Sequence, residues 1–144
     1  MTSHSDQGDG LRRTTDGLAF VRQHPEMFRQ LAHDGPSAAA LLTEVALRKS
    51  AVRLEVGRRD GWYVIHADED WLADVSDRDP FTQLVPFPDL GPNAVHPEVV
   101  VVAFSAAFVT VTNDGVRTLA GEAPELAKLT SGFSSRGRSI VFKW

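Results

Sequence analysis

The sequence predicts an α+β domain, a two-layer sandwich with helices packed on one face of a mixed, mostly antiparallel sheet. Three observations indicate this fold class. Apolar residues follow helical spacing in the first third of the chain, two alternating segments turn back at Asp-Gly dipeptides, and a last alternating segment follows near residue 140. The length of 144 residues, with 42% hydrophobic and 24% charged residues, suits one globular domain.

The N-terminal part predicts a tail followed by two short helices. Residues 1–10 are polar and rich in Gly, Ser and Asp, so we expect a disordered tail there and a single domain over 11–144. Apolar residues recur at helical spacing over 11–31, and Pro25 interrupts them. Because proline is poorly tolerated inside a helix, we expect a break near His24.

Residues 38–50, AAALLTEVALRKS, carry the clearest helical pattern, with Ser37 as the expected N-cap. Glu44 and Arg48 lie four residues apart and therefore share one face of this helix. The expected buried stripe, which has one charged edge, consists of Leu41, Leu42, Val45, Ala46 and Lys49.

Two hairpins and a last strand are predicted from alternation and turn chemistry. The first hairpin joins Val52, Leu54 and Val56 to Trp62, Val64 and His66 through a turn at Asp60-Gly61. The second spans residues 108–119 with a turn at Asn113-Asp114-Gly115, and residues 138–143 form the last strand.

Between the hairpins lies an irregular, acidic and proline-rich stretch, residues 67–98. Long loops in compact domains are usually functional or mobile. Its aromatic residues Trp71, Phe81 and Phe87 either pack into the core or cover a cleft as a fixed lid. Residues 98–106, EVVVVAFSA, form a buried helix or a buried strand, and periodicity alone does not decide between them.

Composition excludes several classes of function. The chain has no cysteine, which removes disulfides, thiolate catalysis and cysteine-ligated zinc. Its net charge is −4 and its basic residues are scattered, so nucleic acid is not an expected partner. No apolar run approaches the length of a membrane span, and no signal peptide is visible. We therefore expect a cytoplasmic protein with no membrane partner.

Four strings occur in a collinear order: GLAFVRQHPEMF at 17–28, LLTEVALRKS at 41–50, AFSAAFVTVTNDG at 103–115 and GRSIVFKW at 137–144. They resemble segments of the ATP-binding domain of the DNA gyrase B subunit. That domain belongs to the GHKL family, shared with histidine kinases, mismatch-repair ATPases and a class of heat-shock chaperones. The resemblance implies a shortened form of this fold that lacks a full ATP lid, and a helix at 98–105.

The resemblance implies roles for several positions. Glu44 stands where the family has the general base that activates water, but Arg48 replaces the magnesium-binding asparagine. Arg138 replaces a threonine of the last strand. The aspartate that reads adenine corresponds to Ala67, unless a shift of one residue brings Asp68 to its place.

The phosphate-binding loop of the family, GLHGVG, corresponds to AVHPEV at residues 94–99. A phosphate cradle needs glycines and free N–H groups at a helix N-terminus. Here Pro97 removes one N–H, and Glu98 adds a negative charge. We therefore expect no ATP hydrolysis, neither ATP nor Mg²⁺ as a cofactor, and no metal site.

The candidate site consists of Glu44 as a general base and a set of ligand-binding residues, which are Arg48, His66, Asp68, His96 and Arg138. Structural alternatives stay open at two places. Glu44 and Arg48 also fit an ordinary helix ion pair, and the segment from His66 to Asp70 also fits a solvated acidic loop.

Three functions compete at this point. The first is a pseudo-ATPase binding or regulatory module that takes a protein partner, a second copy of itself or a non-nucleotide ligand in the remnant cleft. The second is a small-molecule enzyme that reuses the emptied cleft for acid–base chemistry of the cyclase or isomerase type. The third is a decoy that pairs with a true gyrase B subunit. We expect the first.

Overall fold

The computed structural model describes residues 16–49, 53–75 and 78–144, and within these ranges it has five helices and five strands. The expected tail at 1–10 and the strand residue Val52 lie outside the described residues. The helices are α1 (Gly17–Gln23), α2 (Pro25–Phe28), α3 (Gly35–Arg48), α4 (Glu98–Phe104) and α5 (Leu126–Leu129). The strands are β1 (Leu54–Arg59), β2 (Trp62–Ala67), β3 (Ala107–Thr112), β4 (Gly115–Ala120) and β5 (Arg138–Lys143).

The five strands form one sheet in the order β1-β2-β5-β3-β4, and every pairing in it is antiparallel. The two hairpins are β1–β2 and β3–β4, and β5 lies between them. The predicted α+β class is therefore confirmed. The turn of the first hairpin places Asp60 at φ 51° and Gly61 at φ 83°, the left-handed conformations that an Asp-Gly turn supplies at low cost.

The predicted break between the first two helices is confirmed. The first helix ends at Gln23, and Pro25 opens the second, where a missing N–H costs nothing. The His24 ring contacts the last turn of the first helix at this break, because its Nδ1 lies 2.9 Å from the carbonyl oxygen of Phe20.

The predicted N-cap of α3 is wrong. Asp34, not Ser37, caps the helix, and it accepts a 2.7 Å hydrogen bond from the Ser37 backbone N–H. Ser37 completes a capping box, since its Oγ accepts from the Asp34 N–H at 3.0 Å. The helix therefore starts three residues earlier than expected, with Gly35 and Pro36 in its first turn, where proline is tolerated.

The two faces of the sheet are covered differently. The helix-facing side, which includes Ile65, Ile140 and Phe142, packs in the main core with α1, α3 and α4. On the opposite side, Val64 and Val141 form a smaller cluster with Leu129 of α5. No helix is predicted between the second hairpin and the last strand, so this cover on the outer face is a finding of the structure.

The segment that follows the irregular stretch is a helix, as the resemblance implies. Its four consecutive valines, Val99–Val102, are fully buried, which explains why its sequence has no polar face. The stretch before it folds onto the core through a short 3-10 helix at Pro88–Leu90 and a bridge between Pro86 and Val95. No helix among the described residues is long and apolar enough to span a membrane.

Candidate functional site

Glu44 and Arg48 form an ion pair on the surface of α3. The Arg48 Nε donates to Glu44 Oε2 at 3.0 Å, and each side chain is about half exposed, at 47% and 49%. Arg48 Nη1 also donates to the carbonyl oxygen of Asp89 at 3.2 Å. The pair therefore fastens the 3-10 helix of the irregular stretch to α3.

Arg138, the first residue of β5, makes the most complete ion pair among the predicted site residues. Its Nε and Nη2 donate to the two carboxylate oxygens of Asp70 at 2.6 and 3.1 Å. Its Nη1 donates to Thr110 Oγ1 at 2.7 Å, and the guanidinium lies 5.4 Å from the centre of the Phe81 ring. Such a bidentate pair holds both partners in a fixed geometry.

A cavity of about 710 Å³ opens beside Arg138, between the irregular stretch and the β3–β4 hairpin. A second bidentate pair, between Arg117 and Asp79, lies in its wall. Burial raises the pKa of Asp79, but hydrogen bonds from Arg117, Thr82 and the Phe81 N–H together lower it below its usual value. The cavity thus has two paired arginines in its wall.

His66 and Asp68 meet on the other face of the sheet. The His66 ring is buried, shares a 2.7 Å hydrogen bond between Nδ1 and Ser139 Oγ, and stacks on Phe133. Its Nε2 lies 3.4 Å from Asp68 Oδ1, and Ser134 Oγ donates to the same oxygen at 3.3 Å. A cavity of about 490 Å³ is lined in part by His66, Asp68, Phe133 and Ser134.

His96 and Glu98 form a buried pair at the start of α4. Glu98 has no exposed surface, and its Oε2 accepts a 3.3 Å hydrogen bond from Trp71 Nε1. Its Oε1 lies 3.3 Å from His96 Nδ1, close enough for a hydrogen bond but not aligned for one. Neither of these two facing atoms has another hydrogen-bond partner among the described residues.

His96 also lines a cavity of about 500 Å³ between the end of α3 and the irregular stretch. Lys49 and Asp74 lie in its wall and are joined by hydrogen bonds of 2.6 and 2.7 Å. The hydrogen bond from Lys49 holds the pKa of Asp74 below its usual value. The His96 ring stacks on Phe87, with 4.6 Å between the ring centres.

The six predicted site residues do not share one cavity. In the β2–β5 register His66 pairs with Ser139 and Ala67 pairs with Arg138. Neighbouring residues of a strand point to opposite faces, so the sheet separates His66 from Arg138. Glu44, Arg48, His96 and Arg138 belong to the helix-facing side, whereas His66 and Asp68 lie on the outer side.

Sequence reasoning missed two polar residues that the structure brings next to the predicted ones. Glu98 appears there only as a charge unfavourable to phosphate, and Lys49 only as the edge of a buried stripe. The sequence does carry a signal for Glu98, because an acidic residue stands directly before four consecutive valines there. No group of three or more His, Asp or Glu residues suited to a metal ion occurs among the described residues.

No family model, curated protein or solved structure matches this chain.

Proposed function

We propose that this chain is a pseudo-ATPase binding and regulatory module, related in architecture to the gyrase B-type ATP-binding domain, that has lost Mg²⁺–ATP chemistry. The observation that carries the proposal is the packing of three aromatic side chains of the irregular stretch into the core. Trp71, Phe81 and Phe87 are only 2–4% exposed. This supports a stretch that packs as part of the fold where the family has a lid and a phosphate-binding loop.

The position in the last strand where the family has a threonine supports the same proposal. The resemblance places Arg138 where the family has a threonine, and Arg138 is bound at both of its outer edges by Asp70 and by Thr110. A ligand that needed these groups would first have to break a bidentate ion pair. Burial of an unpaired charge is costly, so this exchange is unfavourable.

The positions that would hold metal and phosphate support it as well. Phosphoryl transfer depends on a metal ion and on groups that stabilise negative charge on the phosphates. The guanidinium of Arg48 stands at the metal-ligand position and is paired with Glu44, the candidate general base. Glu98 contributes a buried carboxylate where phosphate oxygens would lie.

The open cavity beside Arg138 is the place we propose for a non-nucleotide ligand or for a side chain of a protein partner. Its volume of about 710 Å³ falls within the range of small-molecule sites. Arg117 and Arg138 in its wall are already paired, so a partner would add contacts to a preformed surface without having to order these two side chains. A ligand or partner side chain bound there would contact the irregular stretch, which forms one wall of the cavity.

An ATP turnover assay tests the proposal. We expect the native chain with ATP and Mg²⁺ to release phosphate no faster than the buffer does, and Glu44→Ala to behave identically. Robust turnover that is lost in Glu44→Ala contradicts the proposal, because it would make Glu44 a working general base.

One observation favours the second candidate function, a small-molecule enzyme. The buried pair of His96 and Glu98 beside a cavity is an arrangement that acid–base catalysts use. Both residues lie in the segment that corresponds to the family's phosphate-binding loop, so this function would reuse part of the former nucleotide site.

A further inference from the structure

The buried carboxylate of Glu98 needs an explanation beyond packing. It has no exposed surface, and only its Oε2 has a hydrogen-bond donor aligned to it, the indole of Trp71. A buried carboxylate without full compensation destabilises a fold, and an apolar side chain of similar size would pack there at lower cost. Its only other close polar neighbour in the described structure is His96.

The geometry gives the carboxylate an orienting role. Glu98 Oε1 faces His96 Nδ1 at 3.3 Å, and a carboxylate at that nitrogen favours the tautomer that carries its proton there. The other ring nitrogen, Nε2, is then left with a free electron pair. The same division of roles makes histidine a general base in hydrolytic triads.

The cavity at His96 combines an apolar wall with charged groups of both signs. Val75, Val85, Pro86 and Phe87 supply apolar surface, and the charged groups that face it are Lys49, Asp74, Arg78 and Asp89. Lys49 Nζ lies 6.0 Å from the centre of the Phe87 ring, and His96 stacks on that same ring. A flat molecule that rests on this wall would therefore have a base and an ammonium group within reach.

We infer that His96 is a general base, positioned by Glu98, and that this cavity binds a small carbonyl compound with an acidic C–H bond. His96 Nε2 removes the proton from the carbon next to the carbonyl, and the electron pair of that C–H bond becomes an enolate. Lys49 stabilises the negative charge that develops on oxygen through the N–H of its ammonium group that remains beyond its two hydrogen bonds to Asp74. The proton returns from His96 to the same carbon or to another one, so the reaction is an isomerisation and needs no further reactant.

Glu98 bears on both the base and the proposed loss of ATP chemistry, but the two proposals fail separately. The base also needs Lys49 and His96, whereas the loss of ATP chemistry depends also on Glu44, Arg48, Arg138 and the packing of three aromatic side chains. Phosphate release would contradict only the proposed function. A chain without base activity would contradict only the inference.

The test uses 5-nitrobenzisoxazole, a flat probe whose ring opening reports a general base directly. The base takes the proton from the ring carbon next to nitrogen, the electron pair of that bond forms a nitrile, and the N–O bond breaks to release a coloured phenolate. We expect the native chain to open the probe more than about tenfold faster than the same concentration of imidazole. His96→Asn should lower this rate at least about tenfold, and imidazole added to His96→Ala should restore part of it.

Glu98→Gln separates positioning from packing, because the amide keeps the shape and still accepts from Trp71. We expect kcat for the probe to fall while KM stays the same, because the amide N–H2 that then faces His96 Nδ1 favours the tautomer with the proton on Nε2. A purely structural role would leave kcat of the folded variant unchanged. His33→Asn is the matched control, a surface histidine beside Asp34, and should leave the rate unchanged.

Two results overturn the inference. One is a native rate no higher than that of free imidazole. The other is a folded His96→Asn, judged by its circular dichroism spectrum, that opens the probe as fast as the native chain. If His96→Asn does not fold, the absence of imidazole rescue in a folded His96→Ala counts against the inference in the same way.

Discussion

Three arginine side chains hold the irregular stretch against the helices and strands of this chain. Arg48 holds the 3-10 helix at Asp89, Arg117 holds Asp79, and Arg138 holds Asp70. Each of these contacts joins the irregular stretch to a helix or strand that is distant in sequence. Because a planar guanidinium can bind two oxygens at once, these pairs fix geometry better than lysine pairs would.

The pairing of Asp79 predicts a pH dependence of stability. Its pKa is lowered in the folded state, so the stability it contributes is present above its usual value of 3.8 and is lost as the pH falls through the folded-state value. Asp79→Asn should therefore destabilise the chain by about 1 kcal/mol at pH 7. Thermal unfolding at pH 7 and pH 3 checks this, since the two chains should converge at the lower pH. A difference that persists unchanged at pH 3 contradicts the assignment.

Two glycines give opposite predictions. Gly137 has φ 80°, and a Cβ built there would overlap the carbonyl oxygen of Ala67. Gly137→Ala should therefore cost about 2–4 kcal/mol, from a left-handed alanine and a forced backbone shift. Gly57 has nothing within 4 Å of the same added atom, so Gly57→Ala should stay within about 0.5 kcal/mol of the native chain. Denaturant unfolding measures both, and equal losses in the two variants would contradict the close approach at Gly137.

Helices and strands that carry a local pattern in the sequence could be predicted, and those that carry no such pattern could not. The last strand is confirmed at residues 138–143, and both hairpin turns lie where the Asp-Gly dipeptides predict them. The α5 helix has only four residues, too few for a helical period to appear in sequence. The run Val99–Val102 shows no helical or strand period because it is buried on all sides. At this segment only the family resemblance favoured a helix over a strand.

The outer cover formed by α5 gives a test at this scale. Leu129 is 3% exposed and packs against Val64 and Val141. Leu129→Ala should destabilise the chain by about 2–4 kcal/mol, because it removes buried apolar contacts and leaves a cavity. Leu47→Ala is the matched control, since Leu47 is 56% exposed and its loss should be nearly neutral. Equal unfolding midpoints for these two variants would mean that α5 does not cover the sheet.

The candidate site could be predicted only in part, because its geometry depends on the register between strands of the sheet. Alternation in β2 brings His66 and Asp68 to the same side, and the structure places their side chains 3.4 Å apart. Which face of the sheet they share depends on how β2 pairs with β5, and sequence alone does not provide that pairing. The pair of His96 and Glu98 was missed because its meaning depends on burial, which a loop sequence does not reveal.

In the molecule as a whole, the sheet divides the polar sites into two independent groups. His66 and Asp68 lie under the α5 side, and the ion pairs of Arg48 and Arg138 lie on the helix side with the buried His96–Glu98 pair. No single small ligand can touch both groups. A ligand on the helix side would act on the irregular stretch, which contributes to both cavities there.

We propose that this chain does not bind a nucleotide, and calorimetric titration with ATP and Mg²⁺ tests this most directly. A gyrase B ATP-binding domain serves as the positive control in the same cell. We expect no heat beyond dilution from the native chain, which corresponds to a Kd weaker than about 1 mM. Saturable binding of ATP–Mg²⁺ at micromolar concentrations, lost when Mg²⁺ is removed, would contradict the account.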